Sequence, residues 1–328
     1  CSFSEETKIN IMITKSPHDK KIFLRPIFSF PNARTAFKAY LQALNMGPQD
    51  EIMIPAYIGW SKNEGSGVFD PIKELGIGFR FYKINEDLTI DLVNLQAQMH
   101  YPQVRVLLLI HYFGFPDPNL ATIVQLARER NLIIIEDEAH ALYSDWWGGI
   151  TGRWGNVAFF SLHKMLPFPY GGWLVLNNPS TAELTALEGT PWQISLPQDP
   201  RAYDWTRIAI QRRENAQVLL EMLVPLEGEI SVLFPTIPAG VVPQTLPILI
   251  RNISRDELYF KMNENGYGVV SLYHTLINQI DNNIFPISHE IAKRILNLPV
   301  HQDISHADLE NMVACLQEML FSLPKLSE

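Results

Sequence analysis

Two segments in the middle of the chain end in residues that can do chemistry together. Residues 132–142 read LIIIEDEAHAL, a run of Leu and Ile that ends on three acids, among them Asp137. Residues 156–166 read NVAFFSLHKML, a second apolar run that leads to Ser161 and Lys164. Both runs are typical of strands buried on both faces, which carry polar residues at their ends. Open α/β sheets bind ligands at the carboxyl edge of their strands, so we expect a carboxylate and a primary amine in one site.

This pairing of groups suits pyridoxal phosphate among the cofactors. The cofactor forms a Schiff base with a lysine and takes an aspartate opposite its pyridine nitrogen. An ionised Asp137 would favour the protonated pyridinium, and Lys164 would form the Schiff base and afterwards move a proton. The alternatives are a strand-end aspartate that caps a loop, and a lysine that is solvated on a loop.

The same segments resemble a known family, the sugar aminotransferases of the DegT/DnrJ/EryC1/StrS type within fold type I of the pyridoxal-phosphate enzymes. EDEAH resembles the EDAAQ or EDAAH strand end of that family. FSLHK followed by GGWLV resembles its Schiff-base segment and the Gly-Gly strand after it. The resemblance covers about residues 30 to 325 and implies a homodimer.

A candidate phosphate site lies where the first helix is predicted to begin. Residues 32–36 read NARTA and resemble the family's cup of small residues, Ser-Gly-Arg-Thr-Ala, with Ala33 in place of glycine. The free N–H groups of a helix amino end favour phosphate. The resemblance therefore assigns Ala33, Arg34 and Thr35 to the cofactor phosphate. The alternatives are an ordinary N-cap and, for Arg34, a side chain that faces solvent.

The resemblance also implies contacts to the cofactor ring. In the family, the segment after the strand EIMIP supplies a side chain that stacks on the ring, and both Tyr57 and Trp60 are candidates. His140 matches the Gln or His that contacts the ring hydroxyl. Ser161 has the Ser-x-x-Lys spacing of related transaminases, in which the hydroxyl binds phosphate. His163 could stack on the ring, bind phosphate or pack.

Two features depart from the family pattern. Most sugar aminotransferases have a longer insert between the serine and the lysine than this chain has. They also carry a Gly-x-Asn-x-Arg segment after the Gly-Gly strand, and no such segment is found between Asn178 and Arg212. We therefore expect the cofactor to be held differently or more loosely.

The elements that must position these residues are indicated by the alternation of strand-like and helical stretches up to Leu176. Such an alternation predicts right-handed crossovers and a mostly parallel sheet. We predict an α/β fold of the fold-type-I pyridoxal-phosphate transferase kind. A large cofactor-binding domain is expected over residues 1–200, and a linking helix with a smaller α+β domain over residues 201–328. The linking helix is predicted from Trp205 to Leu223.

The bulk properties exclude several classes of function. The net charge is −9 and the pI is about 5.5, which argues against nucleic-acid binding because phosphate neutralisation needs a basic face. We expect no membrane span, because no apolar run approaches ~20 residues. The opening CSFSEETKIN does not predict a signal peptide. Only two cysteines are present, which favours a reducing compartment and hence the cytoplasm.

These observations lead to one preferred function with alternatives. We predict a pyridoxal-phosphate-dependent aminotransferase that moves an amino group from glutamate or another amino acid to a keto-sugar, often a nucleotide-linked one. No metal is expected. The alternatives are a pyridoxal-phosphate enzyme of another type, such as a dehydratase or a non-sugar aminotransferase, and a regulatory or scaffold relative without activity.

Overall fold

The computed structural model describes residues 25–326, so the opening CSFSEETKIN lies outside the described residues. The strands are β1 Ile27–Phe30, β2 Glu51–Pro55, β3 Gly78–Tyr82, β4 Val104–Ile110, β5 Ile133–Asp137, β6 Val157–Ser161, β7 Gly172–Leu176, β8 Ile230–Val232, β9 Thr245–Ile250 and β10 Ile295–Pro299. The helices are α1 Ala33–Ala43, α2 Phe69–Glu74, α3 Leu92–Gln98, α4 Leu120–Glu129, α5 Leu142–Trp146, α6 Thr181–Glu188, α7 Trp205–Leu223, α8 Arg255–Glu264, α9 Pro286–Arg294 and α10 His306–Ser322.

A seven-stranded sheet forms the centre of the fold, with strand order β1-β7-β6-β5-β4-β2-β3. The strands β3, β2, β4, β5 and β6 pair in parallel, whereas β7 runs antiparallel to both of its neighbours. In the register of this sheet, Asp137 lies beside Ile110 on one side and Phe159 on the other. The carboxyl ends of β4, β5 and β6 therefore meet at one edge, as the α/β prediction requires.

The centre of the sheet is buried because its strands carry apolar side chains on both faces. Ile134 and Ile135, successive residues of β5, are both at most 1% exposed although they point to opposite faces. On one face, helix α1 packs Phe37 against Phe159 with the ring centroids 4.9 Å apart. Each face of the sheet thus contributes to a hydrophobic core that holds the strand ends rigidly.

A second, smaller sheet follows the long helix α7, which spans the residues predicted for it. Its three strands have the order β10-β9-β8 and are antiparallel. Helices α7, α8 and α10 contribute to its core, which runs from Ala216 to Leu323. This region is α+β, as predicted, while the boundary at residues 200 and 201 stays a prediction. Between residues 25 and 326, none of the helices is both long and apolar enough to traverse a bilayer.

Candidate active site

Asp137 and Lys164 lie at the same edge of the large sheet. Asp137 is the last residue of β5, and Lys164 ends the one-turn helix Leu162–Lys164 that follows the neighbouring strand β6. The two side chains influence each other electrostatically, since each stabilises the charged form of the other. The folded chain therefore brings the predicted acid and amine to one site at this edge, and we call this site the cleft.

Asp137 is a buried carboxylate at the floor of this cleft, with 4% of its surface exposed. Its Oδ1 accepts a hydrogen bond of 2.9 Å from the backbone N–H of Ala139. Burial raises the pKa of Asp137 to about 6, while the Ala139 N–H and the positive charges of Lys164 and His111 oppose the rise. Asp137 is consequently ionised at neutral pH, but its pKa lies only slightly below that pH.

Lys164 reaches the floor of the cleft with its amino group. The residue as a whole is exposed, but its Nζ lies 3.0 Å from Nε2 of the buried His140. Desolvation of the amine lowers the pKa of Lys164, and the negative charges of Asp137 and Glu64 oppose that effect. A lowered pKa leaves more of the amine unprotonated near neutral pH, and the unprotonated amine is the form that can act as a nucleophile or a base.

His140 lies between the Lys164 amine and the backbone of Phe113. Its ring is 2% exposed and stacks on the ring of Phe113, with centroids 5.6 Å apart and an interplanar angle of 14°. Its Nδ1 accepts a hydrogen bond of 3.4 Å from the backbone N–H of Phe113. Burial, and then the charge of Lys164, lower the pKa of the imidazole well below its usual value. His140 is therefore a neutral residue of the cleft.

Aromatic rings form the wall beside this floor, and they distinguish the two candidates for ring stacking. Tyr57 is fully buried, and its ring lies 5.6 Å from that of Tyr112 and 5.4 Å from that of Tyr273. Its hydroxyl is buried and has no hydrogen-bond partner among residues 25–326. Trp60 is 44% exposed and belongs to none of these pairs. The structure thus brings Tyr57 to the cleft and leaves Trp60 outside it, and the stacking role itself stays a prediction.

Tyr273 is a residue of the cleft that the sequence did not indicate. Its ring lies 5.7 Å from that of His140 and 6.0 Å from that of Phe113, and Asp137 is close enough to raise its pKa further above that of a free tyrosine. Its backbone has a φ of 61°, which is unusual for a residue with a side chain. Gly59 permits the approach, because an added Cβ there would lie 2.9 Å from the Tyr273 ring.

The predicted phosphate cup has the structure of a helix N-cap. The Asn32 side chain accepts hydrogen bonds from the backbone N–H of Thr35 at 2.8 Å and from its hydroxyl at 3.0 Å. Arg34 forms an ion pair with Asp70 at 3.6 Å and donates to the Glu64 carbonyl. The residues of the cup are thus engaged with one another and with the 64–70 segment. The assignment of Ala33, Arg34 and Thr35 to phosphate stays a prediction.

The Gly-Gly strand passes directly beneath this helix start. A Cβ added to Gly172 would lie 2.3 Å from the carbonyl carbon of Asn32, so only glycine allows the two backbones to approach. Nearby, Ser161 is buried and its Oγ lies 3.3 Å from Nδ1 of the exposed His163. The roles of Ser161 and His163 towards a cofactor also stay predictions.

A buried group of two acids and a histidine lies behind the cleft. His111 Nε2 is 2.9 Å from Glu136 Oε2 and 3.3 Å from Glu138 Oε1. Burial and the charge of Glu136 raise the pKa of Glu138 well above its usual value. The three side chains could offer ligand atoms to a metal ion. Glu136, however, already accepts backbone hydrogen bonds from Gly152, Trp154 and Gly155.

Comparisons with known proteins agree with this architecture. The sequence profile of the DegT/DnrJ/EryC1/StrS aminotransferase family matches residues 27–187 and 204–317, which confirms the resemblance carried by the motifs. A dTDP-4-dehydro-2,3,6-trideoxy-D-glucose 4-aminotransferase of Saccharopolyspora spinosa is 22% identical over 312 residues, 83% of this chain and 78% of that protein. A pleiotropic regulatory protein of Geobacillus stearothermophilus is 22% identical over 323 residues, 88% of this chain and 83% of that protein.

The fold is also found in solved structures. NtdA from Bacillus subtilis, solved with the bound cofactor PMP, superposes with a TM-score of 0.72 at 16% identity, over 92% of this chain and 74% of NtdA. This likeness confirms the predicted fold class.

Proposed function

This chain belongs to the DegT/DnrJ/EryC1/StrS aminotransferase family, and from that premise we propose that it is a pyridoxal-phosphate-dependent aminotransferase acting on a keto-sugar. The observation that carries the proposal is the placement of Asp137 at the end of β5 and of Lys164 just after the neighbouring parallel strand β6, at one edge of the sheet. The two groups come from different strands, and the cofactor of this family requires both.

The residues of the cleft fit pyridoxal phosphate. Lys164 offers an amine with a lowered pKa, and Asp137 offers a carboxylate that is ionised above about pH 6. The hydroxyl of Tyr57 is a buried polar group without a partner, which a polar ligand in the cleft would satisfy. When bound, the cofactor supplies an electron sink for the carbon next to the transferred amino group.

Each residue then has a definite task in amino-group transfer. Asp137 would hold a proton on the ring nitrogen that faces it, because an ionised carboxylate favours the protonated partner. Lys164 would hold the cofactor covalently and, once released, carry a proton between the reacting atoms. His140 would orient the Lys164 amine, and the buried rings of Tyr57 and Tyr112 would exclude water.

The relatives and the family resemblance support the substrates that we propose. The Saccharopolyspora spinosa relative is named for a dTDP-linked keto-sugar, so we propose a nucleotide-linked keto-sugar as the amino acceptor. An amino acid such as glutamate would be the donor. We further propose that the protein is a homodimer, as the family resemblance implies, and that it acts in the cytoplasm, which the scarcity of cysteines supports.

The cofactor is tested by the visible absorption of the purified protein. We expect a band that borohydride bleaches and that Lys164→Ala abolishes, since the band requires a covalent link to this amine. Lys62→Ala, a change at an exposed lysine, serves as the matched control and should keep the band. Incubating the aminated form of the cofactor with keto-sugars then identifies the acceptor, because an accepted keto-sugar restores the band. Restoration by a 2-oxo acid identifies the donor instead, since that 2-oxo acid is the product of the donor amino acid.

A second candidate is a regulatory relative that has kept the fold without the reaction. Two observations favour it: one relative is named a pleiotropic regulatory protein, and Arg34 of the predicted phosphate cup is engaged with Asp70. The same experiment separates the two functions. A colourless protein that takes up no added cofactor would support the regulatory function and contradict the aminotransferase.

A further inference from the structure

His140 has a different neighbour at each of its two ring nitrogens. On one side, the backbone N–H of Phe113 donates to Nδ1 over 3.4 Å. On the other side, Nζ of Lys164 lies 3.0 Å from Nε2. The ring is buried, and because this burial is the main cause of its lowered pKa, it carries a single proton. Whether that proton is on Nδ1 or on Nε2 determines whether Lys164 donates a hydrogen bond to the ring or accepts one from it.

The directions of these two hydrogen bonds allow only one position for the ring proton of His140. A backbone N–H can only donate, so Nδ1 must present its lone pair to Phe113. The single ring proton is then on Nε2, where it faces the lysine. A lysine ammonium has three donors and no acceptor, so it cannot bond to an N–H. A neutral amine has a lone pair and can accept that proton.

We propose that His140, held in its Nε2–H tautomer by the backbone of Phe113, donates to Lys164 and keeps it as a neutral amine. The tautomer and the neutral amine are inferred from the geometry alone. Only the use of the neutral amine rests on the proposed function, because covalent attachment of the cofactor requires a neutral amine. His140 thereby acts on the amine directly, whereas Phe113 is a positioning residue that acts through His140.

The turn that contains Phe113 is built to aim this N–H. Phe113 has a φ of 57°, in the left-handed region that a bulky residue occupies only at a cost. Its carbonyl accepts a hydrogen bond of 2.8 Å from the backbone N–H of Gln244. The next residue, Gly114, also has a positive φ, and an added Cβ there would lie 2.4 Å from the carbonyl oxygen of Val242. A segment distant in the sequence therefore holds the turn in its strained conformation.

The charged groups around the amine do not supply this effect. Asp137 on β5 and Glu64 on the loop before α2 both favour the charged lysine. His163, two residues after the end of the β6 apolar run, is exposed. Among the residues that the structure describes, the neutral form is favoured by the loss of solvent at the amine and by the His140 N–H.

The tautomer can be measured directly by NMR of the full chain labelled with ¹⁵N-histidine and freed of cofactor. The resonances of His140 are assigned by their loss in His140→Gln. We expect Nε2 to carry the proton and Nδ1 to be unprotonated, with no further protonation between about pH 6 and 9. A proton on Nδ1, or an imidazolium in that range, would overturn the proposal.

A second measurement uses the amine itself. Competitive labelling of lysines at increasing pH, read by peptide mass spectrometry, gives the midpoint at which Lys164 becomes reactive, with Lys62 as the internal reference. His140→Phe keeps an aromatic ring beside Phe113 and removes the donor. The Lys164 midpoint should rise by about 0.7 pH unit, the effect of losing one ordinary hydrogen bond to the neutral form. An unchanged or lower midpoint would mean that the lysine does not accept this hydrogen bond.

Both measurements use the chain without cofactor, so their outcome is independent of the proposed reaction. A protein with the expected tautomer but no cofactor uptake would keep this inference and contradict the aminotransferase. A protein that binds cofactor but has the His140 proton on Nδ1 would contradict this inference and leave the proposed aminotransferase function intact.

Discussion

Replacing Asp137 with asparagine should make the cofactor-free protein more stable. The carboxyl is 4% exposed, and burial raises its pKa from 3.8 to about 6. A carboxyl whose pKa is higher in the folded state binds its proton more tightly there, so stability falls as the pH rises through the interval between the two values. Each pH unit corresponds to about 1.4 kcal/mol, so the ionised group costs about 3 kcal/mol above pH 6.

Asparagine has nearly the same shape as aspartate and no charge. Its Oδ1 can still accept the hydrogen bond from Ala139, which is 2.9 Å long in the protein. We therefore expect Asp137→Asn to raise the free energy of unfolding at pH 7.5 by about 2 to 3 kcal/mol, a figure that already includes the lost attraction to Lys164 because the pKa of about 6 includes it. At pH 4 the wild-type carboxyl is protonated in the folded state and roughly half protonated in the unfolded state, so most of the gain should disappear.

Urea unfolding of the cofactor-free chain at the two pH values, followed by circular dichroism, measures this difference. Asp303→Asn is the matched control, because that side chain is 75% exposed and its replacement should change stability little. A loss of stability in Asp137→Asn at pH 7.5, or a gain of equal size at both pH values, would refute the argument that burial of the charge determines the pKa.

Three further outcomes are expected. In the cofactor-loaded enzyme, Asp137→Asn should leave cofactor binding largely intact and lower the transamination rate measured in single turnovers by at least about tenfold, because the ring nitrogen loses its ionised partner. Gly172→Ala should destabilise the fold by more than about 2 kcal/mol in urea unfolding, because the new Cβ would lie 2.3 Å from the Asn32 carbonyl carbon; a stability equal to the wild type would contradict the close approach. Tyr57→Phe should stabilise the cofactor-free chain by about 1 kcal/mol in the same measurement by removing a buried hydroxyl that has no partner, and Trp60→Phe, at an exposed ring, is its control.

Much of the candidate site could be predicted because its reactive residues lie at the ends of strands that the local sequence pattern indicates. The run IIIED has both faces buried in the sheet, and its last residue is Asp137. The run VAFFS behaves in the same way and leads to Lys164. Once neighbouring strands are parallel, their carboxyl ends share one edge, so the meeting of the two groups follows from the hydrophobic pattern and the alternation of elements.

The choice between neighbouring candidates could not be made from the sequence. Tyr57 and Trp60 are three positions apart, and either could have faced the cleft. Tyr57 does so because its ring packs against Tyr112 and Tyr273, which lie 55 and more than 200 positions further along the chain. The direction taken by Arg34 depends likewise on Asp70 and on the Glu64 carbonyl.

By itself, then, the sequence determined the α/β architecture and the two strand ends that carry the acid and the amine, because both depend on short-range periodicity and on residue type. Its motifs also carried the resemblance to the family. The tertiary structure alone decided what surrounds that amine. The Phe113 backbone points at His140 because Gln244 and Val242 hold its turn, and Tyr273 enters the cleft because Gly59 leaves room for it. Such contacts join segments that are far apart in the chain, and they form only when packing has fixed the relative positions of those segments.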